Sequence, residues 1–98
     1  MFELKYTLTY LKVYKKYVLK DQKLQKALEK TLDTIKINPF HTALKTHRVD
    51  TRRNFDVWSS SVTGDWRVVW VFDNEVKSAA IICLELGTHS GANQIYKI

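Results

Sequence analysis

From the start of the chain, Phe2, Leu4 and Tyr6 alternate with Glu3, Lys5 and Thr7, a period of two that predicts a short strand with one buried face. The pattern then changes. Thr7 or Thr9 can cap a first helix, on which Leu11, Tyr14 and Val18 mark one side while Lys12, Lys15 and Lys16 point elsewhere. After a break near Lys20, Asp21 suits the N-cap of a second helix, in which Leu24, Ala27, Leu28, Thr31, Leu32 and Ile35 recur at spacings of three and four. This is the clearest periodicity in the chain, and it leaves Lys23, Lys26, Lys30 and Lys36 off the apolar stripe. Asn38-Pro39 ends the helix, because the residue before a proline is driven out of the helical region. The two helices are expected to form a hairpin.

Residues 40 to 54 make a polar connection, either a long loop or the entry to a strand, that holds two of the three histidines and three of the four arginines. Beyond it, Phe55 to Val62, Trp66 to Phe72 and Ser78 to Leu86 read as strands, separated by Thr63-Gly64-Asp65 and Asp73-Asn74-Glu75. The second and third of these are apolar on both faces, as central strands under a helical layer would be, and Gly87 is expected to stop the last. The order β-α-α-β-β-β predicts an α+β fold. Its sheet should be mainly antiparallel and four-stranded, with the helix hairpin packed on one face, in a single domain spanning residues 1–98.

Composition removes several function classes. One cysteine cannot form an internal disulfide or the usual cysteine zinc sites. His41 and His47 are six residues apart with no acidic cluster, so no metal site is expected. Neither a Gly-rich phosphate loop nor a dinucleotide fingerprint is present, which argues against a small-molecule cofactor. Ser59-Ser60-Ser61 lacks the Gly-x-Ser-x-Gly elbow of a serine hydrolase. No apolar run approaches the roughly 20 residues of a membrane span, and the first residues are too polar for a signal peptide, so a cytoplasmic protein without a membrane partner is expected. Charge divides the chain: residues 1–54 carry thirteen Lys and Arg against five acids, net +8, and residues 55–98 carry three against five, net −2. The first half therefore builds a basic surface, which either attracts a polyanion such as nucleic acid or is a solvated lysine face.

Reactive groups gather in two segments at strand ends, residues 64–70 (GDWRVVW) and 86–96 (LGTHSGANQIY). A strand-mounted Arg67 is always charged and can hold a phosphate bidentately, although pairing with Asp56 or Asp65 across the hairpin would also explain it. His89 is the best single candidate for proton transfer near neutral pH. Tyr96 can stack on a base or pack on the core, His41 and His47 are loop candidates, and Cys83 reads as a core residue.

The basic hairpin, the loop P-x-H-x-x-L-K-x-H, the run W-S-S-S-V-x-G-D-W-R-V-V-W and the terminal L-G-T-H-S-x-x-x-x-x-Y together resemble the RelE/ParE superfamily of toxins from bacterial type II toxin-antitoxin systems. The resemblance covers essentially the whole chain and is similar in its Asp-Trp pair and Gly-Thr-His motif to the YafQ-like branch. It implies a ribosome-dependent endoribonuclease that cuts messenger RNA, neutralised by a cognate antitoxin protein. Arg67 then corresponds to the family's strand arginine, His89 to its acid or base, Asp65 and Trp66 to the pair before the arginine, His41 to the upstream histidine and Tyr96 to the closing aromatic. Members of the family carry cations on the second strand, where this chain has Trp58, Ser59, Ser60 and Ser61. The remaining candidates for contacting nucleic acid are Lys45, His47, Arg48, Arg52 and Arg53. The ParE branch, which binds DNA gyrase and cuts nothing, is the alternative, together with a degenerate member that retains only antitoxin binding.

Overall fold

A computed structural model describes residues 1–50, 55–73 and 79–88. The elements run β1 (Glu3–Tyr6), α1 (Leu8–Val13) widening into a π-turn (Tyr14–Val18), α2 (Gln22–Ile37), a 3₁₀ turn (Thr42–Leu44), β2 (His47–Val49), β3 (Val57–Ser61), β4 (Trp66–Asp73) and β5 (Ala80–Thr88). The strands form one sheet in the order β1-β5-β4-β3-β2, antiparallel throughout except that β1 lies parallel to β5. The α+β architecture is as expected, with five strands among the described residues instead of four. The additional strand, β2, comes from the basic connection, where three residues are too few for alternation to show; Val49 settles it by burying beside Val57.

The helix ends obey local chemistry. Thr7 is the cap of α1: its hydroxyl oxygen accepts from the Tyr10 amide at 3.1 Å and donates to the Leu84 carbonyl at 2.6 Å. One threonine thus satisfies a helix end and ties it to β5. Asp21 caps α2 by accepting from the Leu24 amide at 3.1 Å, and α2 stops at Ile37, immediately before Asn38-Pro39. Leu11 is not on the buried side of the first helix, as its spacing suggested; Tyr10, Tyr14 and Val18 face inward and Leu11 stays 36 % exposed. The π-turn, which adds a residue to the circuit, is why regular helical spacing misjudged that face.

Strand alternation divides the core. Tyr10, Val18, Leu24, Leu28 and Ile35 from the helical layer pack on Val68, Trp70, Ile81, Cys83 and Leu86. At about 1.5–3 kcal/mol for each large apolar side chain buried, this layer dominates the stability. Val49, Val57, Val69 and Val71 form a second cluster on the opposite face. Between Val69 and Trp70 the β4–β5 register shifts, so that Val69 faces Glu85 while Trp70 faces Cys83. Leu84 is the extra residue, and its carbonyl is the one taken by Thr7. β5 continues through Gly87 to Thr88, contrary to the expected stop, because both residues still pair with β4. No helix among the described residues is long and apolar enough to cross a membrane.

Candidate functional site

At one end of the sheet the β3–β4 turn meets the exit of β5. The Thr63 hydroxyl accepts from the amides of Trp66 (3.0 Å) and Asp65 (3.3 Å), and the Trp66 carbonyl accepts from Val62 (2.9 Å) and Thr63 (3.2 Å). This closed turn presents Asp65, exposed, at its tip and starts β4 with Trp66 and Arg67. In register, Trp66 lies opposite Thr88, while Arg67 lies between Ser61 of β3 and Gly87 of β5. Thr88, the last residue of β5, therefore lies at the same end that carries Asp65.

The two β4 side chains part. Trp66 belongs to the helix-side core, with its ring 5.9 Å from that of Tyr17, so it is half-buried packing as well as a candidate contact. Arg67 takes the alternation of Val69 and Val71, toward the face without helices. Its Nε is buried and has no hydrogen-bond partner. Among the described residues no carboxylate pairs with it; Asp56 instead meets Arg48, at 3.5 Å. The expected alternative of an Arg67–Asp56 or Arg67–Asp65 pair is therefore not what the fold builds. A strand-mounted guanidinium flanked by a serine and a glycine can offer its outer N–H groups to an oxyanion.

The other sequence candidates are dispersed. His41 caps the 3₁₀ turn, its Nδ1 accepting from the Ala43 amide at 3.1 Å, which leaves the proton of the neutral ring on Nε2. Its ring borders a groove on the outer side of α2 with Lys30, Asp33 and Ile37, in the helical layer, so the structure does not bring it to the face of Arg67. Lys45 closes the same turn in the left-handed region, φ 49°, a conformation that costs a lysine about 1 kcal/mol. His47 is exposed on β2 opposite Ser59, with Nδ1 3.3 Å from the Lys45 carbonyl. Arg48 is engaged with Asp56. His89, Tyr96, Arg52 and Arg53 lie outside the described residues. Among the described residues no group of three His, Cys, Asp or Glu could hold a metal ion. Burial pushes the Cys83 thiol up to about 12, so it is a neutral core group and not a nucleophile near pH 7.

Sequence reasoning missed two features. Tyr17 carried no signal that it would reach Trp66. Ser60, read from sequence only as part of a failed serine-elbow motif and of the strand that lacks the family's cations, is fully buried and receives the Trp70 indole N–H at 2.8 Å.

The sequence matches no protein-family model and no curated protein. Solved structures do share its fold. A YoeB/ParE toxin from Agrobacterium tumefaciens superposes with a TM-score of 0.74 at 17 % identity, over 90 % of this chain and 99 % of that one. The archaeal RelE in a RelE-RelB complex from Pyrococcus horikoshii gives 0.70 at 14 %, over 93 % and 98 %. A chain of the E. coli DinJ-YafQ toxin-antitoxin complex gives 0.68 at 16 %, over 90 % and 92 %. The RelE/ParE-like fold implied by the motifs is thus the fold this chain adopts.

Proposed function

We propose that this protein is the toxin of a type II toxin-antitoxin pair and acts as an endoribonuclease on messenger RNA in the ribosome. The observation that carries the reading is Arg67: half-buried, strand-mounted, without a neutralising carboxylate among the described residues, and flanked by the two small residues Ser61 and Gly87. A half-buried guanidinium with no ion pair among the described residues is suited to holding an anion. The chemistry is attack of a ribose 2′-hydroxyl on the adjacent phosphate. Asp65 takes the proton, His89 protonates the departing 5′-oxygen, and Arg67 stabilises the charge on the phosphorane. The basic half of the chain would hold ribosomal RNA phosphates.

An antitoxin partner is supported by the company the fold keeps, RelE with RelB and YafQ with DinJ. It also fits the lysine-rich segment that runs from α1 through the π-turn, where Leu8 is 77 % exposed and Leu19, just past the π-turn, 51 % exposed. An acidic amphipathic segment matches both features.

The test adds purified protein to ribosomes programmed with a defined messenger and maps ends by primer extension. Cleavage within codons, lost in Arg67→Ala and His89→Ala, is the expected result. Growth arrest with intact messenger and blocked DNA supercoiling would reject the nuclease in favour of the gyrase-binding alternative, which the missing second-strand cations favour.

A further inference from the structure

Three observations that the proposed chemistry does not use meet at the end of α1. The helix widens to a π-turn over Tyr14–Val18, in which the Leu19 amide donates to the Tyr14 carbonyl at 3.1 Å, although the run contains neither proline nor glycine. Such turns cost helix regularity and concentrate where a side chain must be aimed. The side chain in question is Tyr17, whose ring stands 5.9 Å from Trp66 at an interplanar angle of 51°, both residues being only partly buried. The Lys16 ammonium lies over the Tyr17 ring, 5.4 Å from its centroid, so a base approaches the pair at the rim left by Trp66 and Lys16. From Leu4 to Lys20 the chain holds five lysines and no acidic residue, so nothing on this element repels a phosphate.

An aromatic pair with a cation at one of its rings, on the Tyr17 side free of carboxylates from Leu4 to Lys20 and on the Trp66 side adjoining only Asp65 of the turn, suits an unstacked nucleobase and its phosphate. Trp66 precedes Arg67 in β4 and points to the other side of the sheet, so the aromatic pair lies just across the sheet rim from the oxyanion seat. We infer that Tyr17, Trp66 and Lys16 form a stacking subsite for the base of a single-stranded RNA nucleotide flanking the phosphate held by Arg67. The inference rests on the ribonuclease reading. In it, Tyr17 and Trp66 offer their rings to the base and Lys16 meets the adjoining phosphate, while the strand bends round the β3–β4 turn.

The test is binding of a short single-stranded oligoribonucleotide, followed by quenching of tryptophan fluorescence over a range of salt. Tyr17→Leu should weaken binding about tenfold, the loss of one stacked base, and Tyr17→Phe should bind as the parent does. Lys16→Gln, on an exposed residue that the fold does not need, should lower the salt dependence by about one phosphate contact. Arg67→Ala should weaken binding independently. Unchanged affinity in Tyr17→Leu with clear loss in Arg67→Ala would overturn the subsite and leave the ribonuclease reading standing. Failure of the parent to bind, or indifference to Arg67→Ala, would overturn both. If Tyr17→Leu does not fold, Lys16→Gln decides: an unchanged affinity and salt slope sinks the subsite.

Discussion

Replacing Ser60 by alanine is the sharpest test of how the sheet is tied to the connection that leaves α2. Trp70 Nε1 lies 2.8 Å from Ser60 Oγ, Ser60 Oγ 2.7 Å from Thr46 Oγ1, and Thr46 Oγ1 2.7 Å from the Pro39 carbonyl. The indole can only donate and the carbonyl can only accept, so the protons run one way: Trp70 to Ser60, Ser60 to Thr46, Thr46 to Pro39. Ser60 and Trp70 are both 0 % exposed, so water cannot replace a lost partner. Ser60→Ala strands the indole N–H, at about 1–3 kcal/mol for a buried unsatisfied donor, and removes the Thr46 bond, at about 1 kcal/mol. A total of about 2–4 kcal/mol is a large fraction of the 5–15 kcal/mol typical of a small domain. Urea unfolding followed by tryptophan fluorescence and circular dichroism should show a lower midpoint at unchanged slope. In a Trp70→Phe background the same change should cost about 1 kcal/mol less, because the orphaned donor is already gone. A Ser60→Ala penalty below about 0.5 kcal/mol, or no coupling to Trp70, would refute the relay as a stabilising element.

Other expectations follow from the same geometry. Arg67→Met should abolish messenger cleavage while leaving the thermal midpoint unchanged or higher, since it removes a half-buried charge with no carboxylate partner among the described residues; clear destabilisation in calorimetry would mean the guanidinium is structural. Thr7→Ala should cost about 1–2 kcal/mol in urea titration, since it removes both the α1 cap and the link to Leu84; a loss of only a few tenths would show that the cap is dispensable. Burial raises Cys83 from 9.0 to about 12 and raises Tyr10 from its ordinary 10.0. Both groups favour the protonated form when folded, so their contribution is fully present below pH 9 and is lost as pH climbs through the folded values. Cys83→Ala should therefore flatten the fall in stability between about pH 9 and 12, and an unchanged slope against pH would rule the thiol out.

Most of the secondary structure was legible because it is written in short-range patterns. The α2 stripe, its Asp21 cap and its end at Asn38-Pro39 need only helical spacing and the steric demand of a proline. The three later strands needed only runs of Val, Ile and Trp between polar turns. Where a single residue is inserted, that logic slips: the π-turn moved Leu11 outward, and the bulge at Leu84 reset the faces of β5. The candidate site was legible only as a set of residue types. His41 looked as plausible as Arg67 on a line, yet it caps a turn in the helical layer.

By itself, the sequence determined which residues are chemically able to act, how charge divides between the halves, and where helices and strands begin. Tertiary structure decided that β1 pairs with β5 across nearly the whole chain, that Arg67 rests between Ser61 and Gly87 with no ion pair among the described residues, and that Tyr17 meets Trp66. The reason is range. Caps, stripes and turns depend on residues a few positions apart, whereas the partner of a strand or a charge is chosen by sheet register, which only the packed core can set.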